Sequence, residues 1–251
     1  MATPQSHIEH VYALHRLRKT KLKFQKMNDL NKKALSGLLR FLIILAVLLF
    51  LPAWTFRYWQ AWIFLAVFSV CALATSLYVM KNDPKLLERR MRAGPGDEKE
   101  RSQQIIQMVA TFAFIALIVF PPLDHRFSWS TVPSSAVIVG DGLVALGFLI
   151  IFFVLRENSF ASGVIEVDAG QRVVATGPYS LVRHPMYSGA LRMLLGVPLA
   201  LGSHWGLLLV IPITLVIVWR LLDEEAFLSK RLKGYPEYRA RVRHRLVPGV
   251  W

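Results

Sequence analysis

Thr176-Gly-Pro-Tyr-Ser-Leu-Val-Arg-His-Pro-Met-Tyr-Ser-Gly189 is the stretch from which the chain is best understood, because an apolar run that can enter a bilayer follows it directly. Gly177-Pro178 signals a turn, since glycine tolerates positive φ and proline fixes its own near about −65°. At His184-Pro185 the residue before proline is pushed out of the α region, while Pro185 suits the first turn of a new helix. A helix beginning there puts Tyr187 in its first turn and His184 close to its N-cap. The unsatisfied N–H groups of that first turn then share space with the His184 imidazole and the Arg183 guanidinium. A polar, aromatic and basic cluster at the mouth of a membrane helix reads as a binding site.

The composition outside this stretch points to a membrane protein by itself. Apolar residues make up 54% of the 251 and charged residues 18%, where soluble domains carry roughly 25% charge. Mean hydropathy is +0.42. The 30 Lys+Arg against 16 Asp+Glu suit either nucleic acid or an anionic membrane surface. With several apolar segments present, the membrane reading is taken and nucleic acid is not expected. The one cysteine, Cys71, lies in an apolar segment and leaves no intrachain disulfide or Cys-rich metal centre. No His, Cys or carboxylate spacing suggests a metal ligand set. Some forty polar, basic residues precede the first apolar run, too many for the n-region of a cleavable signal peptide.

Three regions follow: a basic extension over 1–36, four spans over 37–155, and a site-bearing region over 156–251. The extension carries Arg16, Arg18, Lys19, Lys21, Lys23, Lys26, Lys32 and Lys33, interleaved with Ile8, Val11, Tyr12, His15, Leu22 and Phe24. It fits a basic amphipathic helix on the anionic inner leaflet or a solvated arm. Spans are expected at about Gly37–Leu51, Tyr58–Met80, Ile105–Phe120 and Ala136–Leu155, with Pro121-Pro122 ending the third. Asp141, inside the fourth, reads as functional or as interfacial. Val164, Ile165 and Val167 alternate with polar neighbours before Gly170-Gln171, which suggests a small β-hairpin or an extended loop. Tyr187–Leu201 and Leu207–Leu222 then form a helical hairpin that returns Arg220 and Glu224 to the face carrying His184.

That gives an all-α polytopic protein of about six spans. Only Arg57 and Arg126 fall in the loops assigned outside, leaving 28 of the 30 bases on or near the inside. The positive-inside rule then sets both termini in the cytoplasm.

Gly177-Pro178-Tyr179, Arg183-His184-Pro185-x-Tyr187-x-Gly189, Arg220-x-x-x-Glu224-Glu225, Tyr235-x-x-Tyr238 and Arg245-Leu-Val-Pro248 occur in that order. They resemble the signature of the isoprenylcysteine carboxyl methyltransferase and phospholipid methyltransferase family, over roughly the last hundred residues. The resemblance implies an integral membrane enzyme using S-adenosylmethionine on a lipophilic acceptor, an isoprenylcysteine-like carboxylate or a phospholipid-type amine. It implies a substrate-facing Arg220, a cofactor-facing Glu224, and a cofactor wall formed by Gln171, Val173 and Val174.

For such a cofactor, His184 and Tyr187 offer hydrogen bonds to the carboxylate or ribose beside the helix start at Pro185. Tyr179 offers an aromatic face and a hydroxyl. Interfacial anchoring is the other reading of both tyrosines, and capping that of His184. Arg220 and Glu224, four apart on one helix face, suit an anionic substrate group and the cofactor's ammonium respectively, or else pair with each other. Glu225 points about 100° away and is the weaker candidate. Arg192 is placed to meet a phosphate headgroup or to snorkel. The basic segment from Tyr235 to Pro248 suits a lid over the cofactor or a contact with anionic lipid. Two rival readings remain: a membrane sterol-type reductase using NADPH, and a non-catalytic membrane binding module.

Overall fold

A computed structural model describes residues 4–92, 94, 96–98, 100–167 and 170–251, with side chains before Gln25 described only at Arg18 and Lys21. Most of the interleaved bases and apolar residues of the basic extension therefore lie outside the described side chains, as does Pro95. The chain divides into two compact units, residues 1–40 and 41–251. The first unit is helical from Pro4 onward, the opening part of α1 (Pro4–Ala53). Within it Arg40 Nε donates to the Ser36 carbonyl at 3.2 Å.

The second unit holds the remainder of α1, then α2 (Trp59–Asn82), α3 (Pro84–Met91), α4 (Arg101–Phe127) and α5 (Ser134–Glu157). Next come α6 (Pro185–Ala200), α7 (Val210–Arg231) and α8 (Tyr235–Arg241), with 3-10 turns at Gly177–Ser180 and Trp205–Leu209. The described residues are all-α, and the fold is that of a polytopic membrane protein. Five helical stretches are long and apolar enough to cross a bilayer: Gln25–Ala53, Trp59–Asn82, Arg101–Phe127, Ser134–Glu157 and Trp205–Arg231. Large apolar side chains such as Ile44, Val70, Phe112, Ile138 and Leu215 are exposed along them, as lipid-facing positions should be. The sixth expected span, α6, has 16 residues. At about 1.5 Å per residue it covers roughly 24 Å, short of a ~30 Å hydrocarbon core.

One local expectation changes and another narrows. The third span does not stop at Pro121-Pro122; α4 runs on to Phe127 with both prolines buried inside it. Proline removes one ladder bond, but in lipid a broken helix would strand more peptide groups than the proline does. Of the β-hairpin or extended loop expected around 164–174, the described residues form the loop, with no strand among them. Val164 and Ile165 are buried, and the Ile165 N–H donates to the Glu98 carboxylate at 3.1 Å rather than to a partner strand.

The pair α5 and α6 packs unusually closely, and glycines permit it. A Cβ on Gly140 would lie 2.3 Å from the Ala200 nitrogen, one on Gly147 2.7 Å from the Gly189 carbonyl, and one on Gly196 2.5 Å from the Gly140 carbonyl. Small residues let membrane helices bring their backbones together. This contact fixes the start of α6 against the end of α5. Asp141, on the same helix, is buried with neither carboxylate oxygen hydrogen-bonded, so the interfacial exposure expected for it is not what the structure shows.

The second unit has two polar ends. One gathers α3, the described residues of 158–184, the end of α7 and the C-terminal segment. The other gathers Tyr58, Asp124, Ser130 and Ser203: Tyr58 donates to the Leu201 carbonyl at 2.5 Å, and Asp124 accepts from Ser130 at 2.6 Å and also from Ser203.

Candidate functional site

A cavity of about 420 Å³ opens at the first of these ends, within the ~300–1,000 Å³ usual for small-molecule sites. Its lining comes from Arg90 of α3, Gln107 of α4, Ile151 of α5, the irregular segment after α5, the start of α6, one face of α7, and α8 with Leu232 before it. Each residue singled out from the sequence as catalytic or cofactor-binding (Gln171, Val173, Val174, Tyr179, His184, Pro185, Tyr187, Arg220 and Glu224) lies in that lining.

Pro185 occupies the first turn of α6 with His184 at the N-cap position, but the His184 side chain makes no capping bond. Its Nε2 instead lies 3.2 Å from Glu225 Oε1. Glu225 is the hub of a buried ion cluster: it accepts from Arg183 Nε at 2.6 Å and from Arg245 Nε at 3.1 Å. Arg183 Nη1 donates to the Val242 and Arg243 carbonyls, and the Arg183 and His184 amides donate to the His244 and Arg245 carbonyls. The Arg183-His184-Pro185 motif thus staples the C-terminal segment to α7, and Glu225, the weaker candidate from the sequence, anchors it.

Tyr187 joins the pair one turn away. Its hydroxyl donates to Glu224 Oε2 at 2.7 Å and accepts from Arg220 Nε at 3.1 Å. Arg220 and Glu224 share a face, as their spacing requires, but bridge through the phenol rather than to each other. The other Arg220 nitrogens are also engaged: Nη1 with Gln103 Oε1 at 2.9 Å, and Nη2 with Glu98 Oε1 at 2.7 Å and the Gly163 carbonyl at 3.3 Å. Among the described residues, Glu224 accepts only from Tyr187, which leaves its second oxygen for a ligand.

Tyr179 accepts from Asn158 Nδ2 at 2.9 Å, and its carbonyl accepts from the Tyr238 hydroxyl at 2.8 Å. Burial pushes its phenol up to about 12, with the Asn158 bond opposing the shift. Tyr235 and Tyr238 of α8 also line the cavity and are raised by burial. They pack with Leu232 and Val242 against Val173 and Tyr179, so α8 closes one wall. Arg192 donates to the Ser188 carbonyl of its own helix at 2.8 Å.

Reasoning from the sequence missed Arg90, Glu98, Asn158 and the central place of Glu225. Glu98 sits among several charges in a polar loop, and its partner Arg220 is distant in the chain, so no local pattern marks it. Glu225 had a signal in the doubled acid beside Arg183-His184.

Residues 135–234 match the family model for phospholipid methyltransferases. The resemblance carried by the motifs agrees with that match. The family implies a methyltransferase, and the apolar helices make it a membrane one. Comparison with curated proteins gives no match. The matched stretch begins in α5 and ends at Gly234, so Tyr187, Arg220 and Glu224 fall inside it. Arg90, Glu98 and the tyrosines of α8 fall outside.

The cavity fits S-adenosylmethionine by chemistry. Glu224 has an oxygen available for an ammonium, and Tyr179 offers an aromatic ring to an adenine. Among the described residues no group of three or more His, Cys, Asp or Glu could hold a metal ion.

Proposed function

We propose that the chain transfers a methyl group from S-adenosylmethionine to a lipophilic acceptor in this cavity. The observation that carries the reading is the gathering of motif residues from residues 171–224 into one lining, beside apolar groups of α5 and α6. When bound, S-adenosylmethionine supplies a methyl group made electrophilic by its sulfonium. Glu224 binds the ammonium of the amino-acid moiety through the oxygen that Tyr187 leaves free. Tyr187 fixes the carboxylate's rotamer, and Arg220, held by Glu98, Gln103 and Gly163, fixes Tyr187. Arg220 therefore serves as a positioning residue in the polar pair. His184 and Pro185 set the start of α6 at the cavity wall, while Gln171, Val173, Val174 and Tyr179 cover the adenosine.

Orientation and exclusion of water are what a displacement of this kind asks of a protein. Tyr235 and Tyr238 supply the exclusion from α8. Ile151 of α5 and Ala190 and Met193 of α6 add apolar lining and suit a prenyl or acyl chain.

Binding by the purified chain in detergent tests this. S-adenosylhomocysteine should raise the thermal midpoint, since a ligand specific to the folded state stabilises it by mass action. A shift with NADPH and none with S-adenosylhomocysteine would favour the reductase instead, and a shift with neither a non-catalytic module.

A further inference from the structure

Among the described residues, Arg90 is the one half-buried arginine of the cavity that no carboxylate neutralises. Arg183 is paired with Glu225, Arg220 with Glu98, and Arg172, at the rim, is exposed to solvent. Arg90 differs from all three. Its Nη1 donates to the Ser162 carbonyl at 3.1 Å and approaches Met186 Sδ at 3.6 Å. Among the described residues, its Nε and Nη2 have no partner. Burial lowers its pKa from the ordinary arginine value, which is the cost of enclosing a charge with no counterion. A planar guanidinium with unused donors, facing a cavity, is matched by an oxyanion. Arg220, given the acceptor's anionic group on sequence grounds, has no comparable donors to spare.

We infer that Arg90 receives the head-group oxyanion, phosphate or carboxylate, of a lipid acceptor whose chain lies along Ile151, Ala190 and Met193. This rests on the methyltransferase reading and deepens it by naming the acceptor class. Arg90 lies outside the family-matched stretch, so it is a feature of this chain's α3 rather than of the matched region.

The test uses the full chain in detergent, wild type and Arg90→Gln, with dihexanoyl phosphatidylethanolamine and N-acetyl-S-farnesylcysteine as probes. S-adenosylhomocysteine and methylthioadenosine, which lacks the amino acid, are titrated alongside. Arg90→Gln should bind S-adenosylhomocysteine like wild type and bind one of the two lipids about tenfold more weakly, as expected for one charge-assisted contact. The lipid affected identifies the oxyanion as phosphate or carboxylate. Arg90→Lys, which keeps the charge but loses the planar fork, should fall between the two and carries the test if Arg90→Gln does not fold.

Equal lipid affinities in wild type and variant overturn the proposal, as does a wild type that binds neither lipid. A loss for S-adenosylhomocysteine that methylthioadenosine does not show also overturns it, because Arg90 would then hold the cofactor's carboxylate. Should wild type bind lipid in an Arg90-dependent way but ignore S-adenosylhomocysteine, the methyltransferase reading falls and the oxyanion site stands.

Discussion

Glu224 and Glu225 are adjacent in sequence and do different work, because successive helix positions diverge by about 100°. Glu224 faces the cavity with an oxygen to spare, and Glu225 faces three basic side chains in the packed interior. Glu224→Gln should leave folding intact and weaken S-adenosylhomocysteine by about ten- to a hundredfold, the worth of one charge-assisted bond. An unchanged Kd by titration calorimetry would remove Glu224 from the cofactor site. Glu225→Ala should instead cost roughly 3–5 kcal/mol of stability, since it leaves the buried Arg183 charge uncompensated. Thermal unfolding in detergent reads that loss, and a midpoint like wild type's would contradict it. Tyr179 adds a pH dependence. Its folded pKa of about 12 lies above the ordinary value of 10, so the folded state holds that proton more tightly. The stability this provides is whole below pH 10 and is lost as pH rises towards 12. Tyr235 and Tyr238, raised in the same direction, steepen the fall. An unfolding midpoint that stays flat across that window would refute the effect.

Between elements, the decisive contact is α5 against α6. Gly140 and Gly142 look alike in sequence, flanking Asp141, yet only Gly140 faces α6. A Cβ there meets the Ala200 backbone, whereas one on Gly142 meets nothing within 4 Å. Gly140→Ala should therefore destabilise by roughly 1–3 kcal/mol, as overpacking does. Gly142→Ala should be neutral or gain up to about 1 kcal/mol from helix propensity. Paired unfolding curves in one detergent check this, and equal shifts would mean that the two helices pack differently. The start of α6 at Pro185 was legible from the proline and its preceding residue. The end of α4 was not: a rule for proline drawn from water misplaces the stop when lipid penalises any break.

Across the second unit polar chemistry collects at two ends, and of its 21 bases only Arg57 and Arg126 fall in the loops that the sequence assigns outside. We expect the end bearing the cavity to face the cytoplasm. With Cys71 replaced, single cysteines at Lys85 and Lys233 should resist an impermeant thiol reagent in intact cells, and one at Thr131 should react. Labelling at Lys85 with none at Thr131 would invert the protein.

The sequence alone determined the membrane class, most span positions, the turn and helix start at the motif, and nine of the residues that line the cavity. Those follow from hydropathy, helical period and proline chemistry, which act over a few residues. Only the tertiary structure decided that Glu98 occupies Arg220, that Glu225 rather than a capping bond holds His184, and that no carboxylate among the described residues neutralises Arg90. These depend on which distant segments meet. A charge looks the same in sequence whether its partner is solvent, a buried carboxylate or a ligand still to arrive.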